Sequence, residues 1–335
     1  MASSSRADTS GVTRKLILLA VAIVVAVALY TGGWFYAASQ LKERIAQELA
    51  ASQQGMHAAS CTDLSVRGFP FRIGVFCDSV GLDDRPAGLS ASFGALRSAA
   101  QVYRPGHGII ELDGPAQVRV TPDLAFDANW DLMRASVVAW TTGLDRASIA
   151  YDGLKGRLNA PSQGVSVGVS VTHGEKHVRQ SGDALDVAAS LDGLSLDLGN
   201  KTLPPFNMAV DMTIANAASW LSKEGPPAGV PLGTTAELRA LTFDLGEGRT
   251  MTLSGPVSIG DDGYVSGTVD LTIEGIDLWR DRISETFPEA AKTVQRVASG
   301  LRALSGGQDR AMVKLNVQQG TVYLGPFAVA EIPPL

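Results

Sequence analysis

An uninterrupted apolar stretch near the start of the chain constrains everything that follows it. Residues 16–38 carry no charge, and the nearest charged residues are Lys15 and Lys42. At about 1.5 Å per residue, a helix of this length reaches about 34 Å, which is enough to cross a hydrocarbon core of about 30 Å with some tilt. The sequence therefore predicts a transmembrane helix over residues 16–38.

The residues at the two ends of this stretch predict its orientation. The aromatic residues 34–36 lie at the C-terminal end, where amphipathic rings prefer the headgroup region. Arg6, Arg14 and Lys15 precede the other end against a single acid, Asp8. This asymmetry places the N-terminus in the cytoplasm and exports the rest of the chain.

A cleaved signal peptide is the alternative interpretation, since a basic pair precedes the apolar run and Ala37-Ala38-Ser39 resembles a cleavage site. The apolar run is longer than a typical signal region of about 7 to 15 residues. Bulky aromatic residues also stand where a cleavage site prefers small ones. Both interpretations export the remaining chain, and only the tether differs.

The anchor continues into a predicted stalk. Leu41, Ile45 and Leu49 recur every four residues among charged neighbours, which predicts an amphipathic helix able to lie on the domain; a solvated linker is the alternative. The predicted organisation is a cytoplasmic tail (1–15), a transmembrane helix (16–38), a stalk helix (39–56) and a β-rich domain (57–335).

Composition excludes one class of partner and favours one fold class. The formal charge is −6, and the part beyond the tail keeps 25 basic and 33 acidic residues, so a nucleic-acid partner is not expected. The 36 glycines punctuate short apolar runs. Alternation of apolar with small or polar residues predicts antiparallel strands with one apolar face. The candidates for an apolar face or groove on these strands are Val165, Val167, Val169, Val171, Met208, Val210, Met212 and Ile214.

These patterns predict a mainly β protein: a large, curved, mostly antiparallel sheet with one long and a few short covering helices. Asp192-Gly193 and the 260–263 segment predict hairpin turns. A brief helix is expected over 216–224, and residues 129–140 fit either a helix or a strand. Trp130 and Trp140 are expected to pack in the core or at its rim.

One long covering helix is predicted over residues 283–304, because apolar residues recur at three- and four-residue steps there. Pro288 suits a first helical turn, and Gly306-Gly307 ends the helix. Phe287, Val294 and Leu301 complete the groove candidates. The helix either lies across the apolar face of the sheet or gates a groove in it.

The two cysteines, Cys61 and Cys77, flank a strand, a Gly68-Phe69-Pro70 turn and a second strand in an exported segment. We predict that they face each other across this hairpin and form a disulfide. One cysteine pair offers too few ligands for a metal site, and a redox pair is more often Cys-x-x-Cys.

No motif in the sequence indicates an enzyme, a cofactor or a metal site. His173-Gly-Glu-Lys-His177 has metal-binding residue types, but we predict a hairpin loop there, whereas zincin ligands share one helix face. No nucleophile elbow, phosphate loop or dinucleotide fingerprint appears.

Two short motifs carry a resemblance. The membrane helix, the Arg67-Gly-Phe-Pro-Phe-Arg72 element ahead of Cys77, and Gly320-x-Val-x-Leu-Gly-Pro-Phe327 with terminal Pro333-Pro334-Leu335 resemble a family of alphaproteobacterial envelope proteins known as a domain of unknown function. The resemblance covers about residues 10–335. It implies a Gram-negative inner membrane with the domain in the periplasm, and it implies no catalytic residues. The chain is more distantly similar to AsmA-like proteins, whose curved sheets are thought to handle lipids.

Two functions remain open from the sequence. The first is a module that binds or shuttles lipid or another apolar ligand, because few helices are predicted to cover many one-sided strands. The second is a non-enzymatic scaffold or assembly factor that contacts other envelope proteins through exposed edges.

Overall fold

The computed structural model describes residues 9–53, 55–86, 88–121, 123–223, 225–227 and 229–334. Three parts of the predicted segments lie outside these ranges: residues 1–8 of the predicted tail, Glu224 at the end of the predicted 216–224 helix, and Leu335. Three α-helices occur among the described residues: α1 (Thr9–Gln53), α2 (Ile276–Thr286) and α3 (Ala291–Leu304).

Twenty antiparallel strands form one sheet in the described part of the chain, which confirms the predicted mainly β fold. Their bounds are β1 (His57–Thr62), β2 (Ser65–Arg67), β3 (Arg72–Cys77), β4 (Ser79–Asp84), β5 (Leu89–Phe93), β6 (Leu96–Gln101), β7 (Arg104–Leu112), β8 (Ala116–Thr121), β9 (Leu124–Asn129), β10 (Leu132–Trp140), β11 (Gly143–Ala160), β12 (Val165–Ser181), β13 (Ala184–Asp197), β14 (Phe206–Ile214), β15 (Thr235–Asp244), β16 (Thr250–Ile259), β17 (Val265–Glu274), β18 (Arg310–Gln318), β19 (Thr321–Leu324) and β20 (Phe327–Glu331).

Pairing shows that the first ten strands act as five longer, bent segments. In one row, β1 pairs with β4, β4 with β5, β5 with β8, and β8 with β9. In the row beside it, β2 pairs with β3, β3 with β6, β6 with β7, and β7 with β10. Strands β9 and β10 both pair with β11. From β11 to β20 each strand pairs with the next along the chain. The sheet is therefore one continuous up-and-down meander.

The bends align into a crease across the first segments. It runs through Asp78, Gly94, residues 113–115 and residues 130–131, and hydrogen bonds cross it from Gly94 N to Asp113 O (3.0 Å) and from Asp131 N to Asp152 O (2.9 Å). A Cβ atom on Gly94 would lie 2.5 Å from the carbonyl oxygen of Gly114. The crease brings backbones too close together for any side chain at that position.

The crease continues through Gly193, which corrects one prediction. Asp192-Gly193 does not form a hairpin turn; it lies inside β13, where Gly193 has φ +62° and the pairing with β14 shifts by one residue. A hairpin turn and a β-bulge share this sequence signal because both need a residue with left-handed backbone angles.

Three other predictions concern single segments. The predicted 260–263 turn does join β16 to β17, and residues 129–140 contribute the strand β10. A 3-10 turn spans Ala218–Leu221 in the predicted 216–224 helix.

Alternate strand ends form two edges of the sheet. We define the anchor edge by the connections at residues 68–71, 101–104, 140–143, 182–183, 215–234, 260–264 and 319–320. We define the far edge by those at residues 85–88, 161–164, 198–205, 245–249 and 275–309, the last of which contains α2 and α3. The two edges carry different structures and different chemistry.

Helix α1 runs from the anchor edge along the first strands. Trp34 and Ala38 are buried, Leu41, Ile45 and Leu49 are half-buried, and the helix contacts β1 and β2. The predicted stalk stripe therefore packs against the domain, and the helix has no break where membrane and stalk segments were expected to meet. α1 is also the one helix among the described residues that is long and apolar enough to cross a membrane.

Cys61 and Cys77 form a disulfide, as predicted. They are not direct partners across a hairpin, because Cys61 pairs with Val80 and the two cysteines lie where the first two segments bend. Two clusters of buried side chains stand out in the described part of the chain. The first comprises Ala116, Ala128 and Trp130. The second lies where α2 and α3 pack on the sheet and comprises Ile273, Ile276, Ala298, Leu301 and Ala311.

Candidate functional site

An apolar cavity of about 310 Å³ lies at the far edge, between α2 and the ends of β14, β15 and β16. Ligand cavities in proteins begin at about this size and are lined mainly by apolar side chains. The lining residues are Leu203, Pro204, Phe206, Phe243, Leu245, Met251, Trp279, Arg282, Ile283, Thr286 and Phe287. An acyl chain or another slender apolar group suits such a space.

The sequence around α2 explains how the cavity forms. Gly275 has φ +71°, so the chain turns sharply after β17 and begins α2 at Ile276, which is fully buried. α2 ends at Thr286, and Pro288 excludes the helical conformation for Phe287, which has φ −128° and ψ 76°. The predicted single helix over 283–304 is therefore wrong: two helices flank a bend that places Phe287 beside the cavity.

Basic side chains stand at the rim of the cavity. Lys201 Nζ lies 5.1 Å from the ring centroid of Phe287 and 2.8 Å from Glu289 Oε1. The hydrogen bond from Lys201 lowers the pKa of Glu289 below its ordinary value. Arg282 lines the cavity and has Nη1 3.7 Å from Glu285 Oε2. The mouth of the apolar cavity thus carries two cations, each beside a glutamate.

The structure brings together few of the predicted groove candidates. Phe287 lines the cavity, and Met208 pairs with its lining residue Phe243. Leu301 is buried in the cluster beneath α3, and Val294 is half-buried on the same helix. The four valines 165–171 lie on β12 and Val210, Met212 and Ile214 lie further along β14, and none of these lines the cavity.

Sequence reasoning missed most of the residues that line the cavity. A signal for some of them was present: Phe206 extends the alternation of β14 by two residues, and Trp279 continues the helical spacing of Ile283 back towards Ile276. The contribution of Leu203 and Pro204 had no local signal, because these residues precede β14 and reach α2 only through the tertiary fold.

The histidine motif lies on a strand, not in the predicted hairpin loop. His173 Nδ1 lies 2.6 Å from Asp152 Oδ1, and both His173 and His177 contact Glu175, at 3.2 and 3.0 Å. The hydrogen bond to Asp152, followed by that to Glu175, raises the pKa of His173. No group of three or more candidate ligands among the described residues is arranged to hold a metal ion. The cluster links strands by polar contacts.

A second set of polar contacts joins β12 to β15. Arg179 Nη2 donates to Asp186 Oδ2 at 2.7 Å, and Arg239 contacts both Asp186 and Asp211. The hydrogen bond from Arg179, with a smaller one from Thr213, lowers the pKa of Asp186 to about 2. These side chains form a ladder of ion pairs across neighbouring strands, and oppositely charged pairs of this kind stabilise exposed faces of sheets.

A family model described as "Uncharacterized protein conserved in bacteria (DUF2125)" matches residues 34–333, which is most of the chain. The chain belongs to this bacterial family. The match begins at Trp34, the first residue of α1 that the domain buries, and it includes the whole sheet and the cavity. No curated protein and no solved structure matches the chain. The alphaproteobacterial origin and the similarity to AsmA-like proteins stay predictions.

Proposed function

We propose that the chain is a membrane-anchored protein that binds or shuttles lipid, or another apolar ligand, in the bacterial cell envelope, without catalysing a reaction. The observation that carries this proposal is the far-edge cavity, whose lining is apolar apart from Arg282 and Thr286. A protein cavity of that chemistry is suited to hydrocarbon. Lys201 and Arg282 at the rim are suited to a phosphate or carboxylate head.

The proposed location is the inner membrane, with the N-terminus in the cytoplasm and the sheet in the periplasm. Arg14 and Lys15 precede the span, and basic residues favour the cytoplasmic side. The Cys61–Cys77 disulfide fits an oxidising compartment such as the periplasm.

Photo-crosslinking of the full-length chain in lipid nanodiscs tests the ligand. A phosphatidylglycerol with a diazirine on its acyl chain is included in the disc, the sample is illuminated, and crosslinked peptides are identified by mass spectrometry. We expect crosslinks on the α2 peptide that contains Trp279 and Ile283, in addition to those on the transmembrane part of α1. Absence of crosslinks on α2, with crosslinks confined to α1 and to turns of the anchor edge, would contradict the proposal.

Matched variants of α2 sharpen this experiment. Ile283→Trp fills the cavity and is expected to abolish the α2 crosslinks, at a cost in stability of about 1–3 kcal/mol. Leu278→Trp adds the same side chain to an exposed position of the same helix and is expected to keep them. Equal α2 crosslinking in the two variants would place the lipid outside the cavity.

The free edge of the sheet supports a second candidate, a scaffold that contacts other envelope proteins. Within the described residues β20 pairs only with β19, and Phe327 at its start is exposed. Exposed strand edges recruit partner strands. Deletion of residues 327–331 would abolish a β20-mediated contact in envelope pull-downs and leave cavity crosslinking unchanged.

A further inference from the structure

Three neighbouring turns on the anchor edge expose large apolar side chains. Phe71 is 67% exposed in the β2–β3 turn, Tyr103 is 69% exposed in the β6–β7 turn, and Trp140 is 71% exposed at the β10–β11 turn. The prediction that Trp140 packs in the core or at its rim is wrong, whereas Trp130 is buried as predicted. We refer to Phe71, Tyr103 and Trp140 as the aromatic tips.

Pairing of the strands places the aromatic tips side by side. Arg72 pairs with Gln101, and Val102 N donates to Phe71 O at 3.1 Å, so the first two turns are in contact. Strand β7 then pairs with β10, and a Cβ atom on Gly106 would lie 3.9 Å from the Trp140 ring. The three turns therefore form a continuous row.

Contacts with α1 fix the height of this row relative to the membrane. Trp34 Nε1 donates to Arg72 O at 3.0 Å, and the Tyr30 hydroxyl donates to Pro70 O. The Phe69 ring lies 5.5 Å from that of Phe35 and 5.6 Å from that of Trp34. If the apolar span begins at Leu16, about 20 residues of helix reach the opposite interface, near Phe35. The β2–β3 turn is thus held at the level of the lipid headgroups.

Charge at these turns also suits a bilayer. Residues 68–72, 101–106 and 140–143 contain Arg72 and Arg104 and no acidic residue, although the chain as a whole has a net charge of −6. Both arginines are exposed, and neither forms an ion pair within the described part of the chain. Basic side chains next to apolar ones are attracted to the headgroups of anionic lipids.

The other hairpin turns of the anchor edge lack this chemistry. The turns at residues 182–183, 260–264 and 319–320 are made of glycine, aspartate and glutamine apart from Tyr264, which is half-buried. The longer 215–234 connection exposes Val230 and Leu232 but no aromatic side chain among its described residues. Exposed aromatic side chains on hairpin turns of this edge are thus confined to the strands nearest α1. An apolar row that continues from a membrane helix is better explained by the bilayer than by a protein partner.

We propose that the aromatic tips enter the leaflet on the side of the sheet domain, so that Phe71, Tyr103 and Trp140 form a second membrane contact beside α1. A single span is free to tilt in the bilayer, and α1 would carry the packed sheet with it. The additional contact holds the anchor edge at the bilayer and directs the far edge, with α2 and α3, away from it. This contact does not depend on what the cavity binds.

Spin labels on the full-length chain test this proposal. Cysteine is introduced as Tyr103→Cys or Trp140→Cys, both at exposed positions, while the two native cysteines remain in their disulfide. The chain is placed in nanodiscs of phosphatidylethanolamine and phosphatidylglycerol with one copy per disc. Collision rates with oxygen, which concentrates in lipid, and with a nickel chelate, which stays in water, are measured by electron paramagnetic resonance.

Labels at residues 103 and 140 are expected to collide more with oxygen than with the nickel chelate. Glu247→Cys on the far edge and Asp183→Cys at the neighbouring polar turn are matched controls and should show the opposite preference. Tip labels as accessible to nickel as the label at 247 would overturn the proposal. Protection of the tips only in discs that hold two copies would overturn it as well, because it would indicate contact between copies of the chain.

Discussion

The half of the sheet nearest α1 and the half beneath α2 and α3 belong to one meander but are held together differently. In the first half the buried residues are mostly small, such as Ala58, Ala116 and Ala128, and the strands are joined by a disulfide and a crease of close backbone contacts. In the second half larger side chains, including Ile273, Ile276 and Leu301, are buried between the sheet and the helices α2 and α3.

This difference explains how the apolar cavity at the far edge forms. Backbones that approach as closely as Gly94 and Gly114 leave no room between them for side chains or for a ligand. A helix that lies across strand ends keeps its distance from the sheet, because side chains of both must fit between them, and small mismatches leave space. The apolar space at the far edge can therefore hold a ligand without altering strand pairing, and a larger, more polar cavity of about 510 Å³ lies in the first half, beside Arg72, His107 and Arg146.

Removal of a large side chain should have its greatest effect in the second half. We expect Leu301→Ala to lower the free energy of unfolding by about 2–5 kcal/mol, since Leu301 is buried against Ile273 and Ile276. Leu304→Ala, at an exposed position of the same helix, should change it by less than about 0.5 kcal/mol. Urea unfolding of both variants measures this, and similar losses would show that α3 is not held by burial.

The disulfide should matter in the first half. We expect Cys77→Ser to lower the free energy of unfolding by about 3 kcal/mol, because the bridge closes a loop between residues 61 and 77 and restricts the unfolded chain. With a reducing agent present, wild type and variant should unfold alike apart from the small effect of the substitution. The same difference under oxidising and reducing conditions would assign the effect to packing around Cys77.

Elements with a regular local pattern were predictable from the sequence. Val165–Val171 and Met208–Ile214 alternate over a full strand, and Leu41, Ile45 and Leu49 repeat at helical spacing, so each pattern specifies its own structure. Pairing of the two cysteines followed from their number and from the predicted export of the segment that contains them. None of these predictions needs knowledge of which strands are neighbours.

Features that depend on neighbouring strands were not predictable. Asp192-Gly193 has the sequence of a turn, but the long partner strand β12 continues past it, and the glycine instead forms a bulge. Trp140 is a large apolar residue of the kind that usually packs in a core, but its position at the end of β10 exposes it. The cavity needs residues from two loops, three strands and the α2 segment, which no local pattern can bring together.

Glycine substitutions distinguish the two halves by the sign of their effect. We expect Gly94→Ala to destabilise the fold by about 1–3 kcal/mol, because the new methyl group would lie 2.5 Å from Gly114 O and 3.0 Å from Asp113 O. Gly300→Ala, on α3, meets nothing within 4 Å and should stabilise the helix by up to about 1 kcal/mol. Thermal unfolding of both variants gives the comparison, and a stabilising Gly94→Ala would contradict the close approach at the crease.

The ladder between β12 and β15 joins the two halves and should contribute least, because its arginines are largely exposed and solvent screens such pairs. The folded pKa of Asp186, about 2, lies below its ordinary 3.8. The stabilisation is therefore complete above pH 3.8 and is lost as the pH falls through about 2. We expect Asp186→Asn to cost about 1 kcal/mol near neutral pH, with the gap to wild type closing over that acidic range. Urea unfolding across this range measures the gap, and a gap that is independent of pH would mean that the carboxylate acts through its shape and not through its charge.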